Sequence, residues 1–157
     1  MVESKSTSRL PRIAKPVILI QTDTTVGFIS QNKEELSFIK TRDSSKPFIK
    51  VYSSLASFIA CGNRFPKKQK NILRRSLKTS FIVKNKAFRI SRTNLNSKIL
   101  LDLEWNYSTS ANAAGKSFDS VFCEDKADII IINKDGFTQR DASSLIKINN
   151  KKIKRIR

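Results

Sequence analysis

Two short, uninterrupted apolar runs constrain the fold of this chain most strongly: Val17-Ile18-Leu19-Ile20 and Ile129-Ile130-Ile131-Ile132. A run of this length between polar segments is typical of a strand that is buried on both faces. Other segments have helical periodicity, and the two kinds mix without strict alternation. We therefore predict an α/β (α+β) fold, a single-domain twisted mixed sheet flanked by helices.

Local patterns predict the individual elements. Asn32 can cap a helix from Lys33 to Ile39, and Gly62 can end a helix from Ser54 to Ala60. Two further helices are predicted, one after Pro66 and one from Asn96 to Trp105. Pro47 to Tyr52 is predicted to be a further strand. Two hairpins are also predicted: Phe81 to Val83 with Ala87 to Ile90 across the turn Lys84-Asn85-Lys86, and Leu145 to Ile148 with Lys152 to Arg157 across Asn149-Asn150.

The composition is that of a globular protein with an unusual charge. The 157 residues can form one domain with a core, and Met1 to Arg12, rich in Ser, Lys and Arg, are interpreted as a flexible basic lead-in to a domain of residues 13–157. The chain has 31 basic and 13 acidic residues, a net charge of +18. Such a charge predicts attraction to polyanions, with nucleic acid the leading candidate, and a generally basic proteome is the alternative explanation.

The composition argues against histidine chemistry, cysteine sites and membrane or secretory segments. The chain has no histidine, which excludes a histidine base and an imidazole metal ligand. Cys61 and Cys123 stand alone, without CxxC spacing, and are predicted to be reduced core residues. No apolar run approaches the roughly 18 residues that cross a bilayer, and the N-terminal cations precede no apolar signal segment, so we expect a cytoplasmic protein.

Polar side chains of matching chemistry follow several apolar segments. These stretches are Thr22 to Gly27, Lys40-Thr41-Arg42, Lys46-Pro47 and Ser108 to Gly115. Hydroxyls, an amide and cations suit a nucleotide phosphate, and Gly27 allows a sharp or crowded backbone. None of the four glycines lies in a P-loop or dinucleotide-binding pattern, so side chains would have to hold the phosphates. The alternatives are a solvated helix end at Lys40 and a plain turn at Asn112 and Gly115.

The order of these stretches resembles the Sua5/YrdC/YciO/YwlC family, the threonylcarbamoyl-AMP synthases of tRNA modification. The resemblance runs from about Lys15 to the end. The family elements PTDTVYGL, IxxxKxRP…KPL, SANxSG, PSTIVD and a closing I-x-R correspond to Gln21 to Phe28, Ile39 to Phe48, Ser110 to Gly115, Ala142 to Lys147 and Ile153 to Arg155. Departures are Val26 for the family tyrosine, Gln21 for the first proline, Ala114 for a serine, and a short segment between Gly27 and Lys40.

The resemblance implies an L-threonylcarbamoyladenylate synthase, which uses L-threonine, bicarbonate and ATP, with Mg²⁺ assisting at the pyrophosphate. Partner proteins of a t6A transferase complex would then modify tRNA to N6-threonylcarbamoyladenosine. By match to the motifs, Lys40 and Arg42 are the catalytic residues. ATP would be bound by Lys40, Arg42, Lys46, Ser110, Asn112 and Arg155, and threonine by Thr24, Arg89 and Ser143, with Thr22 as a secondary candidate.

A non-catalytic module that binds double-stranded RNA or tRNA through a basic surface, with a decayed site, is the alternative function. Two clusters without any acidic residue favour it, Lys67 to Lys78 and Lys147 to Arg157. If both lie on one face, they would form a tRNA-contacting groove. Phe65, Phe81 and Phe88 flank the clusters and are predicted to be core residues rather than a surface for base stacking.

Overall fold

The computed structural model describes residues 2–4, 15–41, 47–91 and 97–157. In chain order the elements are β1 Val2–Ser4, β2 Ile18–Gln21, β3 Val26–Ser30, α1 Lys33–Lys40, β4 Ile49–Tyr52, α2 Leu55–Ala60, a 3-10 turn Lys67–Gln69, α3 Lys70–Arg75, β5 Thr79–Val83, β6 Lys86–Ile90, α4 Ser97–Leu103, β7 Trp105–Ser110, α5 Ser120–Lys126, β8 Ile129–Ile131, β9 Ser144–Ile148 and β10 Ile153–Arg155. No helix in these ranges is both long enough and apolar enough to cross a bilayer.

The chain divides into two compact units. Unit one comprises Met1–Phe48 and Tyr107–Asp141, and unit two comprises Ile49–Asn106 and Ala142–Arg157. Each unit combines parallel and antiparallel strand pairs with helices. Each also has its own hydrophobic core. The mixed α/β architecture predicted from the sequence is therefore confirmed.

The strands of unit one are ordered β1-β8-β2-β3-β7. The two apolar runs of the sequence form β2 and β8, which pair in parallel with Ile18 opposite Ile129. Antiparallel partners flank them, because β1 pairs with β8 and β3 pairs with both β2 and β7. The prediction that both runs are interior strands is therefore confirmed. Of the lead-in, the structure describes only Val2–Ser4, which form β1.

Helix α1 packs on unit one as its capping residue predicts. The Asn32 side chain accepts hydrogen bonds from the backbone N–H groups of Glu34 and Glu35, which satisfies donors that the first turn leaves open. Leu36 and Ile39 are buried in the core of this unit. The helix extends one residue beyond its predicted end, to Lys40.

The strands of unit two are ordered β4-β6-β5-β9-β10. Both predicted hairpins are present, β5–β6 and β9–β10. Lys84 and Asn85 form the β5–β6 turn with φ of 49° and 63°. Two consecutive positive φ angles give this turn a twist that matches the right-handed twist of the two strands. Phe65, Phe81 and Phe88 are buried in the core, as predicted, with the Phe81 and Phe88 ring centroids 5.8 Å apart.

One local prediction was wrong, and some elements were not predicted. Trp105 begins β7 rather than ending a helix, because α4 ends at Leu103 and Glu104 takes a left-handed φ of 58°. Ser108 to Ser110, the start of the second polar stretch, continue that strand. Strand β3, which contains Gly27, and the short helix α5 have no counterpart among the predicted elements.

The two cysteines differ in their surroundings. Cys123 is buried in the core of unit one, as predicted, and burial raises the pKa of its thiol. The prediction that Cys61 is a core residue was wrong, because it is exposed at the C-terminal end of α2. Phe58 is the buried residue of that helix, and Ile59, Ala60 and Cys61 at its end are exposed.

We expect native protein to react with a thiol reagent at Cys61 alone, because only the exposed thiol meets the reagent and Cys123 is both buried and held neutral. Mass spectrometry after brief treatment with iodoacetamide measures this. Cys61→Ser should remove the fast reaction. Rapid labelling of Cys123 in folded protein would contradict the burial.

Gly27 permits a close approach of β3 and β7. A Cβ atom added to Gly27 would lie 2.8 Å from the backbone oxygen of Thr109, closer than such atoms pack. Gly27→Ala should therefore lower the free energy of unfolding by about 1–3 kcal/mol, measured by urea denaturation. Gly62→Ala is the control, because a Cβ there meets no atom within 4 Å and its cost comes only from a φ of +75°. Unchanged stability in Gly27→Ala would contradict this packing.

Candidate functional site

A buried lysine organises the polar residues of unit one. Lys40 is the last residue of α1 and is only 6% exposed. Its Nζ donates to the backbone oxygens of Ser110 at 3.0 Å and Asn112 at 2.7 Å, and to Asn112 Oδ1 at 2.6 Å. An ammonium has three N–H donors, and these three oxygens match them. The charge is thus held by the loop that follows β7.

That loop is a closed hydrogen-bonded turn. Asn112 Oδ1 also accepts from Ser110 Oγ at 2.7 Å, and Asn112 Nδ2 donates to the backbone oxygen of Lys116. Gly115 has a φ of +74°, which glycine adopts without strain. The structural role that the sequence left open for Asn112 and Gly115 is therefore real. It coexists with direct contact to Lys40.

The first polar stretch lies beside this loop. Gly27 in β3 pairs with Ser110 in β7, and Ala111 N–H donates to the backbone oxygen of Val26 at 3.0 Å. Before β3, Thr22 Oγ1 donates to the backbone oxygen of Thr25 at 2.7 Å and lies 3.2 Å from Thr24 Oγ1. The structure thus brings the threonine-rich segment and the SAN segment to adjacent strands of one unit.

Residues 138–140 border the threonine-rich segment, which the sequence analysis did not foresee. Thr138 N–H donates to Gln21 Oε1 at 2.8 Å, and Arg140 N–H donates to Thr25 Oγ1 at 3.1 Å. Gln21, which replaces the family proline, therefore uses its amide to fix this segment. Arg140 is exposed, and its backbone is thereby fixed at the Thr25 hydroxyl. No sequence pattern marked it, since the contact spans more than a hundred residues.

In unit two, Arg89 and Ser143 are connected through Ser80. Arg89 on β6 is directly opposite Ser80 on β5, so their side chains leave the same face of the sheet. Ser80 Oγ lies 2.8 Å from Ser143 Oγ, and all three residues are buried. Two of the three residues that the resemblance assigned to threonine, Arg89 and Ser143, thus belong to one polar cluster. Ser80 is a member that the sequence analysis missed.

A buried hydroxyl next to Arg89 has no assigned acceptor. Ser91 follows Arg89 by two residues, so the strand direction places both on one face. Its Oγ is buried and has no hydrogen-bond partner within residues 2–4, 15–41, 47–91 and 97–157. Such a group in a polar cluster is suited to a ligand or a water molecule.

The remaining predicted residues are divided among the units and the undescribed ranges. Arg155 is exposed on β10, where its Nε donates to the backbone oxygen of Arg157, and Arg157 Nε donates to the backbone oxygen of Ser143. Thr24, Lys40, Ser110 and Asn112 belong to unit one, and Arg89, Ser143 and Arg155 to unit two. Arg42 and Lys46 lie outside the described residues.

Carboxylates contribute little to the predicted site residues of either unit. The part of the chain that the structure describes contains no group of three His, Cys, Asp or Glu side chains placed to hold a metal ion. Mg²⁺ that enters with a nucleotide takes most of its ligands from phosphates and water, with one or two carboxylates from the protein. The site supplies hydroxyls and cations, which fit the phosphates themselves.

Solved structures share this fold. A variant of Sua5 from P. abyssi matches with a TM-score of 0.75 and 16% identity, over 90% of this chain and 52% of that chain. P. abyssi Sua5 complexed with L-threonine matches with a TM-score of 0.72 and 16% identity, over 90% and 50%. E. coli YciO matches with a TM-score of 0.70 and 15% identity, over 92% and 83%.

The chain therefore has the YrdC-like fold of Sua5 and YciO, as the resemblance in its motifs predicted. It spans about half the length of the Sua5 chains that it matches. No protein-family model and no curated protein sequence matches this chain.

Removing the Lys40 charge tests whether it holds the loop. In Lys40→Met, the backbone oxygens of Ser110 and Asn112 lose their donor, so the free energy of unfolding should fall by about 1–3 kcal/mol. Amide hydrogen exchange from 111 to 116 should accelerate. Lys33→Met is the matched control, since Lys33 is exposed at the start of the same helix. Equal exchange in both variants would show that the loop does not depend on Lys40.

Proposed function

We propose that this protein is a compact, divergent L-threonylcarbamoyladenylate synthase, which makes threonylcarbamoyl-AMP from L-threonine, bicarbonate and ATP for the t6A modification of tRNA. The proposal joins the YrdC-like fold with the motif residues of this chain. Threonine is bound by a Sua5 of that fold, which supports threonine as the amino acid substrate. The further partners of this protein would be the proteins of a t6A transferase complex.

The contact between Lys40 and the Ser110 to Asn112 turn is the observation that carries the proposal. These residues come from the two most specific elements of the resemblance, KxR and SAN, which are separated by about seventy residues in the chain. Burial of a charge is costly unless hydrogen bonds compensate it, and the turn supplies those hydrogen bonds to Lys40. A buried cation beside hydroxyls supplies fixed positive charge for a phosphate.

The reaction requires positioning and charge more than a base. The threonine amine adds to bicarbonate and water leaves, giving a carbamate. A carbamate oxygen then attacks the α-phosphorus of ATP, and the bond from that phosphorus to the bridging oxygen breaks as pyrophosphate leaves with the electron pair. In-line displacement at phosphorus is accelerated mainly by alignment and by neutralisation of the phosphate oxygens. A chain without histidine can supply both.

Within this proposal the residues have distinct tasks. Lys40 supplies charge from a fixed position, because its N–H donors are already bound to the loop. Arg42 and Lys46 follow α1 and would contact the phosphates, while Ser110 and Asn112 would contact the nucleotide and Arg155 would close over it. Mg²⁺, held by the phosphates, would neutralise the leaving pyrophosphate.

The threonine substrate would be bound by the hydroxyls and by Arg89. The buried guanidinium can form a bidentate pair with the threonine carboxylate. Such charge-assisted pairs are among the strongest hydrogen bonds that a carboxylate forms in a protein. Ser143, through its contact with Ser80, and the buried Ser91 hydroxyl add polar groups around Arg89. The resemblance also assigns Thr24 to threonine binding.

Product analysis tests the proposal. Purified protein with ATP and Mg²⁺ should form pyrophosphate and threonylcarbamoyl-AMP only when L-threonine and bicarbonate are both present. Arg42→Ala and Lys40→Met should lower turnover by about 10²–10³-fold, because each removes charge at the phosphates. Lys33→Met should retain the wild-type rate. Folded protein that forms no product under any of these conditions would refute the activity.

A second candidate function is a non-catalytic module that binds double-stranded RNA or tRNA. Gln69 Nε2 donates to the backbone oxygen of Asn149 at 2.9 Å, which joins the Lys67–Lys78 cluster to the β9–β10 hairpin of the other cluster. The two basic clusters are therefore neighbours within unit two. RNA binding that survives Arg42→Ala, in protein without synthase activity, would favour this function.

A further inference from the structure

Unit two contains an apolar groove that the proposed synthase reaction does not use. Its volume is about 410 Å³, and its walls come from α2, the turn after it, and α3. Phe58, Phe65 and Leu73 form the base of the groove and are part of the core of this unit. The volume is in the range of sites that take a small molecule or one group of a larger ligand.

The walls of the groove are fixed by hydrogen bonds. Asn63 Nδ2 donates to Tyr52 Oη at 2.9 Å and to the backbone oxygen of Phe58 at 3.0 Å, which holds the turn after α2. Gly62, with a φ of +75°, lets that turn leave the helix, and a Cβ there would meet no atom within 4 Å. Ile59 remains 59% exposed at the edge of the groove. The groove is thus an ordered feature with apolar surface open to solvent.

Positive charge surrounds the opening. Four exposed cations, Arg64, Lys67, Lys70 and Arg74, line the groove and are its rim cations, and none of the carboxylates that the structure describes lines it. A ligand that fits must combine an apolar group with nearby negative charges. A neutral apolar ligand would leave these cations without a counter-charge, so it matches the groove less well than an anionic one.

The positive surface continues beyond the groove. Gln69, in the turn between the rim residues Lys67 and Lys70, donates to the backbone oxygen of Asn149 at 2.9 Å. Asn149 belongs to the β9–β10 connection, and the exposed cations of this hairpin are Lys147, Lys151, Lys152, Lys154, Arg155 and Arg157. The ligand that matches this surface is therefore a polyanion that is longer than the groove.

We propose that this groove binds an unstacked base of single-stranded nucleic acid, whose flanking phosphates contact the rim cations and continue along the β9–β10 hairpin. Along such a strand, bases with flat apolar faces alternate with phosphates. Single strands can turn their bases outward. A duplex keeps its bases stacked inside and cannot present one to the groove without flipping it. The groove itself contains none of the residues assigned to the proposed synthase, and Arg155 on the β9–β10 hairpin is the one residue that both proposals use.

An abasic oligonucleotide separates base binding from phosphate binding. The probe is a short fluorescein-labelled oligoadenylate RNA, and its partner carries the same phosphates with abasic sites in the middle. Fluorescence anisotropy at moderate salt should show that wild-type protein binds the first about tenfold more tightly, the effect of one base contact. A duplex of the same length should bind more weakly than the intact single strand.

Variants locate the preference in the groove. Ile59→Glu places a carboxylate at the edge of the groove on an exposed position, so it should fold and should lose the preference for intact over abasic RNA. Val121→Glu is the matched control in unit one, since Val121 is 78% exposed and the charge change is the same. Lys70→Ala should weaken both probes alike, whereas Lys134→Ala, an exposed lysine of unit one, should weaken neither.

The outcomes distinguish this proposal from the synthase. Equal affinity of wild-type protein for intact and abasic RNA would overturn it, as would tighter binding of the duplex or a preference that Ile59→Glu retains. Binding of polyglutamate in place of RNA would also overturn it, because the occupant would then be an acidic peptide. Ile59→Glu should leave threonylcarbamoyl-AMP formation unchanged, so the failure of either proposal is seen independently of the other.

Discussion

The buried ammonium of Lys40 is the interaction on which the polar part of unit one depends. Three oxygens of the Ser110 to Asn112 turn surround it, and the same turn is fixed to β3 through the pairing of Gly27 with Ser110. A charge in this position is stable only while those oxygens remain in place. The end of α1, the end of β7 and the start of β3 are therefore coupled by one electrostatic requirement.

In the proposed synthase, this arrangement would take the place of the glycine-rich loop of many nucleotide-binding proteins. Such loops use backbone N–H groups to surround phosphates, whereas this chain offers hydroxyls and cations from separate segments. Side chains that converge from distant positions need a rigid sheet to hold them, and paired strands provide it in each unit. The buried cluster of Arg89, Ser80 and Ser143 in unit two follows the same principle.

The net charge of +18 has a spatial pattern within unit two. The Lys67–Lys78 cluster borders an apolar groove, and the Gln69–Asn149 hydrogen bond brings the second cluster beside it. Binding that rests on phosphates alone would be sensitive to salt and blind to sequence. An apolar groove next to such a surface adds a contact to the base, which phosphates cannot supply.

The sequence by itself determined the strands β2 and β8, the Asn32 cap, both hairpins and the family-like order of motifs, because these follow from local periodicity, turn residues and spacing. It did not reveal β3 or β7, since their hydroxyls and Gly27 resemble a loop until a partner strand supplies the hydrogen bonds. Only the tertiary structure decided that Lys40 is buried on Asn112, that Ser80 joins Arg89 to Ser143, and that Cys61 is exposed. Those facts depend on contacts between residues far apart in the chain, which no local pattern encodes.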